Sequence, residues 1–148
     1  MLELKKIKEM IIDDELNQEF LALGYQPLLS FSKKTKILII GQAPGLKAQL
    51  SKEMWRDKSG ELLRKWLGVS EFEFYNPDIF GLLPMDFFYP GKGKTGDLPP
   101  RKIIAEKYHP LILNELKDLK LIILIGNYSQ KYYLNNNFNL TENVKNFK

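Results

Sequence analysis

Lys36-Ile37-Leu38-Ile39-Ile40-Gly41-Gln42-Ala43-Pro44-Gly45 is an apolar run that ends abruptly in a loop of two glycines, an alanine, a proline and one amide. Such a run predicts a strand from Ile37 to Ile40 buried on both faces, as in a parallel sheet. Open α/β sheets place their ligands just beyond the C-terminal ends of the strands. The turn from Gly41 to Gly45 is therefore the first candidate for chemistry.

On the N-terminal side, residues 2–23 carry apolar positions at helical spacing (Leu4, Ile7, Ile11, Ile12, then Leu16, Phe20, Leu23) and predict one or two helices stopped at Gly24. Gln26 to Lys34 is a connector. Beyond the loop, Leu46 to Leu50 predicts a short helix. Glu61 to Leu67 predicts another, with Ser59 as N-cap and Gly68 as terminator. Ile79 to Leu83 reads as a second strand. Pro84 to Arg101 is a long irregular segment rich in proline and glycine, and loops of that length are usually functional or disordered. Lys102 to Leu116 predicts a helix entered through Pro100-Arg101 and open to a kink at Pro110. Leu119 to Ile125 is a third apolar strand ending in Gly126, and a last helix begins over Ser129 to Leu134. Alternating strands and helices imply right-handed crossovers and a parallel sheet between helical layers.

Length and composition narrow the class. The 148 residues suit one domain, 1–148, with a real core, and 44% hydrophobic against 27% charged residues fits a globular chain. No apolar stretch approaches the ~20 residues that span a bilayer, and Leu2-Glu3-Leu4-Lys5-Lys6 reads as the start of an amphipathic helix and not a leader. No membrane partner and a cytoplasmic location are the simplest expectations. The absence of cysteine excludes disulfides, thiolate nucleophiles and Cys-ligated iron–sulfur clusters. A single histidine argues against a histidine-based zinc site, so neither metal nor cofactor is expected. The net charge of +4 suits an anionic partner such as nucleic acid, although many small proteins carry such a charge and bind nothing anionic.

The ordered motifs resemble the uracil-DNA glycosylase superfamily. The likeness begins at Gly41-Gln42-Ala43-Pro44-Gly45, continues through Trp55-Arg56-Asp57-Lys58-Ser59-Gly60 and Leu63-Arg64-Lys65-Trp66-Leu67-Gly68-Val69, and reaches Leu83-Pro84-Met85-Asp86-Phe87-Phe88-Tyr89-Pro90-Gly91-Lys92. It ends with Gly96-Asp97-Leu98-Pro99-Pro100-Arg101 and Leu124-Ile125-Gly126-Asn127-Tyr128. The resemblance implies a three-layer α/β/α fold around a parallel sheet of three or four strands. It also implies DNA as partner, and repair by hydrolysis of the N-glycosidic bond of uracil or another damaged base. Such enzymes extrude the base, and must hold a water, shield a cationic sugar and stabilise a departing anion.

Residue by residue, the resemblance places the catalytic loop at Gly41, Gln42, Ala43, Pro44 and Gly45. Gln42 offers an amide oxygen that can orient a water but cannot take its proton; the other reading is that it satisfies the turn's backbone. Trp55 falls where an aromatic stacks on the base, or is a core anchor. Ser59 is better read as a helix cap than as a base contact. Asp86 and Phe87 lie where the base edge is read. An ionised Asp86 accepts without donating and cannot copy the two-way pairing of an amide, so a solvated loop position is the stronger reading. Lys92, Lys94 and Arg101 are candidates for DNA phosphates, although Gly91-Lys92-Gly93-Lys94-Thr95-Gly96 reads equally as a flexible solvated loop. It is no nucleotide P-loop, because Phe88 stands where the pattern needs glycine. His109, in Tyr108-His109-Pro110, reads as a surface helix residue.

The superfamily's second motif, His-Pro-Ser-Pro, does not occur in the sequence, which reaches Asn146-Phe147-Lys148. The last edge strand of the sheet is then missing, and the third strand stands at an open edge able to support self-association. Three readings follow: a truncated glycosylase with little activity, which the residues favour; a degenerate relative that binds nucleic acid or a nucleobase without cleaving; or a site completed by a second copy or partner.

Overall fold

The computed structural model describes residues 2–147. The first half runs α1 (Leu4–Asp13), a 3-10 turn (Glu15–Asn17), α2 (Gln18–Ala22), β1 (Ile37–Ile40), α3 (Leu46–Ser51), α4 (Lys58–Leu67), α5 (Glu71–Phe74) and β2 (Phe80–Leu82). The second half runs β3 (Lys92–Gly93), β4 (Gly96–Asp97), α6 (Lys102–Glu115), β5 (Leu121–Leu124), α7 (Asn127–Leu134) and α8 (Leu140–Lys145).

β1 forms the centre of a three-stranded parallel sheet in the order β2-β1-β5, with Ile37 opposite both Phe80 and Leu121. Successive side chains of a strand point to opposite faces. Leu38 and Ile40 enter one core with Ile7, Ile11, Phe20, Phe87, Tyr108 and Ile112. Ile39 enters a second core with Leu63, Phe74, Phe80 and Leu82. Helices α1, α2 and α6 supply the first layer, and α4 and α5 the other. This is the three-layer α/β/α arrangement. Each fully buried aliphatic side chain of β1 contributes about 1.5–3 kcal/mol.

The two sheet edges differ. Outside β2, Ser30 and Leu82 exchange backbone hydrogen bonds of 2.9 and 2.7 Å, so the connector closes that side. Outside β5 no strand pairs among the described residues, and Leu121 and Ile122 are exposed. The start of the apolar run is thus uncovered, whereas Ile123 and Leu124 pack on the two cores. Among the described residues, no helix is long and apolar enough to cross a membrane.

Two local expectations are corrected and a third is refined. Helix α4 starts at Lys58, and its N-cap is Asp57, whose carboxylate accepts the Gly60 N–H at 3.0 Å; Ser59 lies inside the helix and donates to the same carboxylate at 2.6 Å. The Pro84–Arg101 segment is irregular over most of its length, as expected, but packed at its start. Residues 83–89 are buried, and β3 and β4 then form a short antiparallel hairpin carrying the exposed Lys92 and Lys94. His109 is buried in α6 instead of lying at the surface.

The His109 ring bridges the layers. A carbonyl cannot donate, so Nε2–H donates to the Pro84 carbonyl at 2.9 Å, and Nδ1 accepts from the Tyr133 hydroxyl at 2.5 Å. Burial disfavours the imidazolium and lowers the pKa from 6.5 to about 4, although the Pro84 contact opposes the shift. Between those pH values the unfolded chain takes a proton that the folded chain refuses. Stability therefore falls as pH drops from 6.5 to 4, by on the order of 3 kcal/mol in total, and this contribution stays flat below that. Urea unfolding across the range, with His109→Gln subtracted to remove the carboxylate contributions, reads the effect directly. A parallel decline in parent and variant would assign the pH dependence to other groups.

Candidate active site

All three parallel strands deliver their C-terminal ends to one cavity of about 300 Å³. β1 contributes Gly41, Gln42, Ala43, Pro44 and Gly45; β2 contributes Leu83 and Pro84; β5 contributes Ile125 and Gly126. The fourth side is the segment between α3 and α4 with Met54, Trp55 and Asp57, together with Ser59 in the first turn of α4. Backbone bonds lock the loops to one another. Met85 N–H donates to the Gly41 carbonyl at 2.9 Å, Asp86 N–H to Gln42 at 3.2 Å, and Ile125 N–H to Ile40 at 2.9 Å. The Gln42 side chain is left exposed at the mouth.

Trp55 is held in the left-handed region at φ +61°, a costly conformation for a bulky residue and one that usually persists only where surroundings impose it. Those surroundings are visible. The buried Arg64 donates from Nη1 to the Trp55 carbonyl at 2.7 Å, and the Tyr75 hydroxyl donates to the neighbouring Met54 carbonyl at 2.5 Å. The guanidinium also lies 5.3 Å from the Phe74 ring centre. Gly60 admits the same carbonyl. A Cβ at that position would stand 1.8 Å from the Trp55 oxygen. The indole comes to rest against Gly41, where a Cβ would meet its ring at 3.2 Å. Trp55 is half-buried, lining the cavity with one part and packing on the second core with another.

Asp57 brings a carboxylate to the lining. Hydrogen bonds from Ser59 and then Gly60 hold its pKa below the usual carboxylate range, so it is ionised at neutral pH. Its N-cap role was hidden from sequence reading by Ser59, a residue of the same capping class two positions on. Gly60, Arg64 and Tyr75 act through Trp55 or its neighbour Met54; Gly60 and Arg64 fall within the motifs of the resemblance, without a role of their own there, and Tyr75 lies outside them.

The remaining five expected residues, Asp86, Phe87, Lys92, Lys94 and Arg101, do not line the cavity. Asp86 is fully buried, not solvated, and grips Arg101: Nε at 2.8 Å and Nη2 at 2.9 Å, with the backbone N–H groups of Arg101 at 3.0 Å and Phe88 at 3.3 Å. Phe87 is buried in the first core, 5.8 Å from the Tyr108 ring centre. Neither faces a base in this cavity. Arg101 is likewise committed, since it also donates to the Leu16 carbonyl at 2.6 Å and to Asn17 Oδ1 at 2.9 Å. Lys92 and Lys94 stand exposed on the hairpin, away from the lining.

The Uracil DNA glycosylase superfamily model matches residues 30–147, a span that takes in the whole sheet and every residue lining the cavity. With a match over most of its length and a parallel sheet that opens its loops on one pocket, this chain belongs to the uracil-DNA glycosylase superfamily.

Proposed function

We propose that the protein hydrolyses the N-glycosidic bond of uracil, or of another damaged base, in DNA, with the extruded base in the cavity between Trp55 and the Gly41–Gly45 turn. The observation that carries this reading is the indole resting on Gly41 at the strand ends, a flat face beside a loop too small to block a base. Superfamily membership supports glycosylase-like chemistry in general.

The residues take the following parts. Trp55 stacks on the base, an interaction worth ~1–3 kcal/mol. The Gln42 amide oxygen accepts a hydrogen bond from the attacking water and aims it at the sugar. The C1′–N bond breaks, its electron pair leaves on the base, and the water oxygen bonds to C1′ while its proton passes to solvent at the open mouth. The ionised Asp57 stabilises the positive charge that builds on the sugar. At Gly126 the chain turns into α7, whose N-terminal dipole favours the departing anion. Ser59 keeps Asp57 charged and oriented. Lys92 and Lys94 supply phosphate attraction from the hairpin.

The test is formation of abasic sites in a uracil-containing oligonucleotide, single- and double-stranded. Strand breaks after alkali that depend on uracil are the expected result. No release at high enzyme from a folded sample would refute hydrolysis. One observation favours a second reading, a base or nucleic-acid binding module without catalysis: His109, the single histidine, is buried against Pro84 and does not line the cavity, so no imidazole faces a departing base anion there. In that case uracil DNA is bound in preference to thymine DNA and released intact.

A further inference from the structure

A second cavity of about 580 Å³ is lined by residues that adjoin the first cavity's lining along the chain at two points. Pro84 lines the first cavity and Met85 the second; Gly126 lines the first and Tyr128 the second. The second cavity carries cationic, aromatic and amide groups, together with one carboxylate, Glu106, and the apolar Met85 and Pro100. Lys102 comes from the start of α6, Lys131 and the rings of Tyr128 and Tyr132 come from α7, and Asn135 closes the helix. The two rings are not equivalent. Tyr132 is fixed in an edge-on cluster with Tyr133 at 4.9 Å and His109 at 6.4 Å, whereas Tyr128 is exposed. Arg101 also lines this space, but its guanidinium is tied to Asp86, so the mobile positive charges are the lysines. Lys102 meets Glu106 at 3.5 Å, an exposed pair of little strength that a phosphate can displace.

A free aromatic face flanked by lysines and an amide fits a nucleotide better than an apolar ligand. We propose that this cavity receives the nucleotide adjoining the extruded one, with its base on Tyr128 and its phosphate between Lys102 and Lys131. The inference rests on the reading of the first cavity as the base pocket. It adds that the substrate strand is unpaired at two successive positions, which makes single-stranded DNA the preferred form.

Binding of a fluorescent oligothymidylate, which contains no uracil and needs no catalysis, separates this inference from the hydrolase reading. The unmodified chain binds it more tightly than the corresponding duplex. Tyr128→Ala weakens binding roughly tenfold, and Tyr128→Phe restores it, because stacking needs the ring and not the hydroxyl. The double variant Lys102→Gln/Lys131→Gln lowers the slope of log affinity against log salt by about 0.7 per lost phosphate contact. Circular dichroism melts confirm that each variant folds. Unchanged affinity in Tyr128→Ala, an unchanged salt slope in the lysine variant, or equal affinity for duplex overturns the inference. Base release from uracil DNA is scored separately, so a chain that fails there can still pass here.

Discussion

Under the proposed hydrolysis, Asp57→Asn is expected to slow base release about a hundredfold, the usual scale for removing one preorganised electrostatic group from an active site. The carboxylate faces the cavity that Gln42 and Trp55 also line, and its hydrogen bonds from Ser59 and Gly60 keep it charged. Asparagine caps a helix as well as aspartate does, and its side-chain oxygen can still accept the Gly60 N–H. The substitution therefore removes the charge and keeps the cap. Single-turnover release from a uracil oligonucleotide measures the loss, and the melting temperature stays close to that of the parent. An undiminished rate would leave Asp57 as a helix cap and nothing more.

Arg101→Met destabilises the fold by about 3–5 kcal/mol, the cost of stranding a buried charge without its partner. Asp86 is fully buried, and without the guanidinium its carboxylate retains two backbone N–H groups. The same substitution cuts the ties to Leu16 and Asn17, and so loosens the N-terminal helices from the buried 83–89 segment. Urea unfolding gives the magnitude. The double variant Asp86→Asn/Arg101→Met recovers part of the loss, because the unpaired charge is gone. Had Arg101 been a phosphate contact alone, the midpoint would stay put and the salt slope of DNA binding would change instead.

The elements with a local signature were readable. β1 lies where its apolar run places it, and Gly68 ends α4 in the left-handed conformation its position requires. The α5 turn carries a capping box, Ser70 with Glu73, but at four residues it is too short for an apolar periodicity to mark it as a helix. The harder cases depend on partners distant in sequence. Asp86 reads as solvated because its burial is compensated by Arg101, fifteen residues on. His109 reads as a surface residue because the carbonyl and the hydroxyl that satisfy it lie at Pro84 and Tyr133. Trp55 is conspicuous in the sequence, but its inverted backbone is imposed by Arg64 and Gly60, which no local pattern shows. β5 stands at a sheet edge, as expected from the sequence, and Leu121 and Ile122 are exposed there.

The two tryptophans occupy very different surroundings. Trp66 is 75% exposed on α4, so its emission is that of an indole in water and changes little when the cleft fills. Trp55 is clamped by its backbone against the turn that closes β1. A nucleobase sliding over it should quench its light without any rearrangement of the chain. Replacing Trp66 with phenylalanine thus leaves one tryptophan, at the cleft, whose brightness under the proposed function counts occupied sites in real time and needs no label on the DNA.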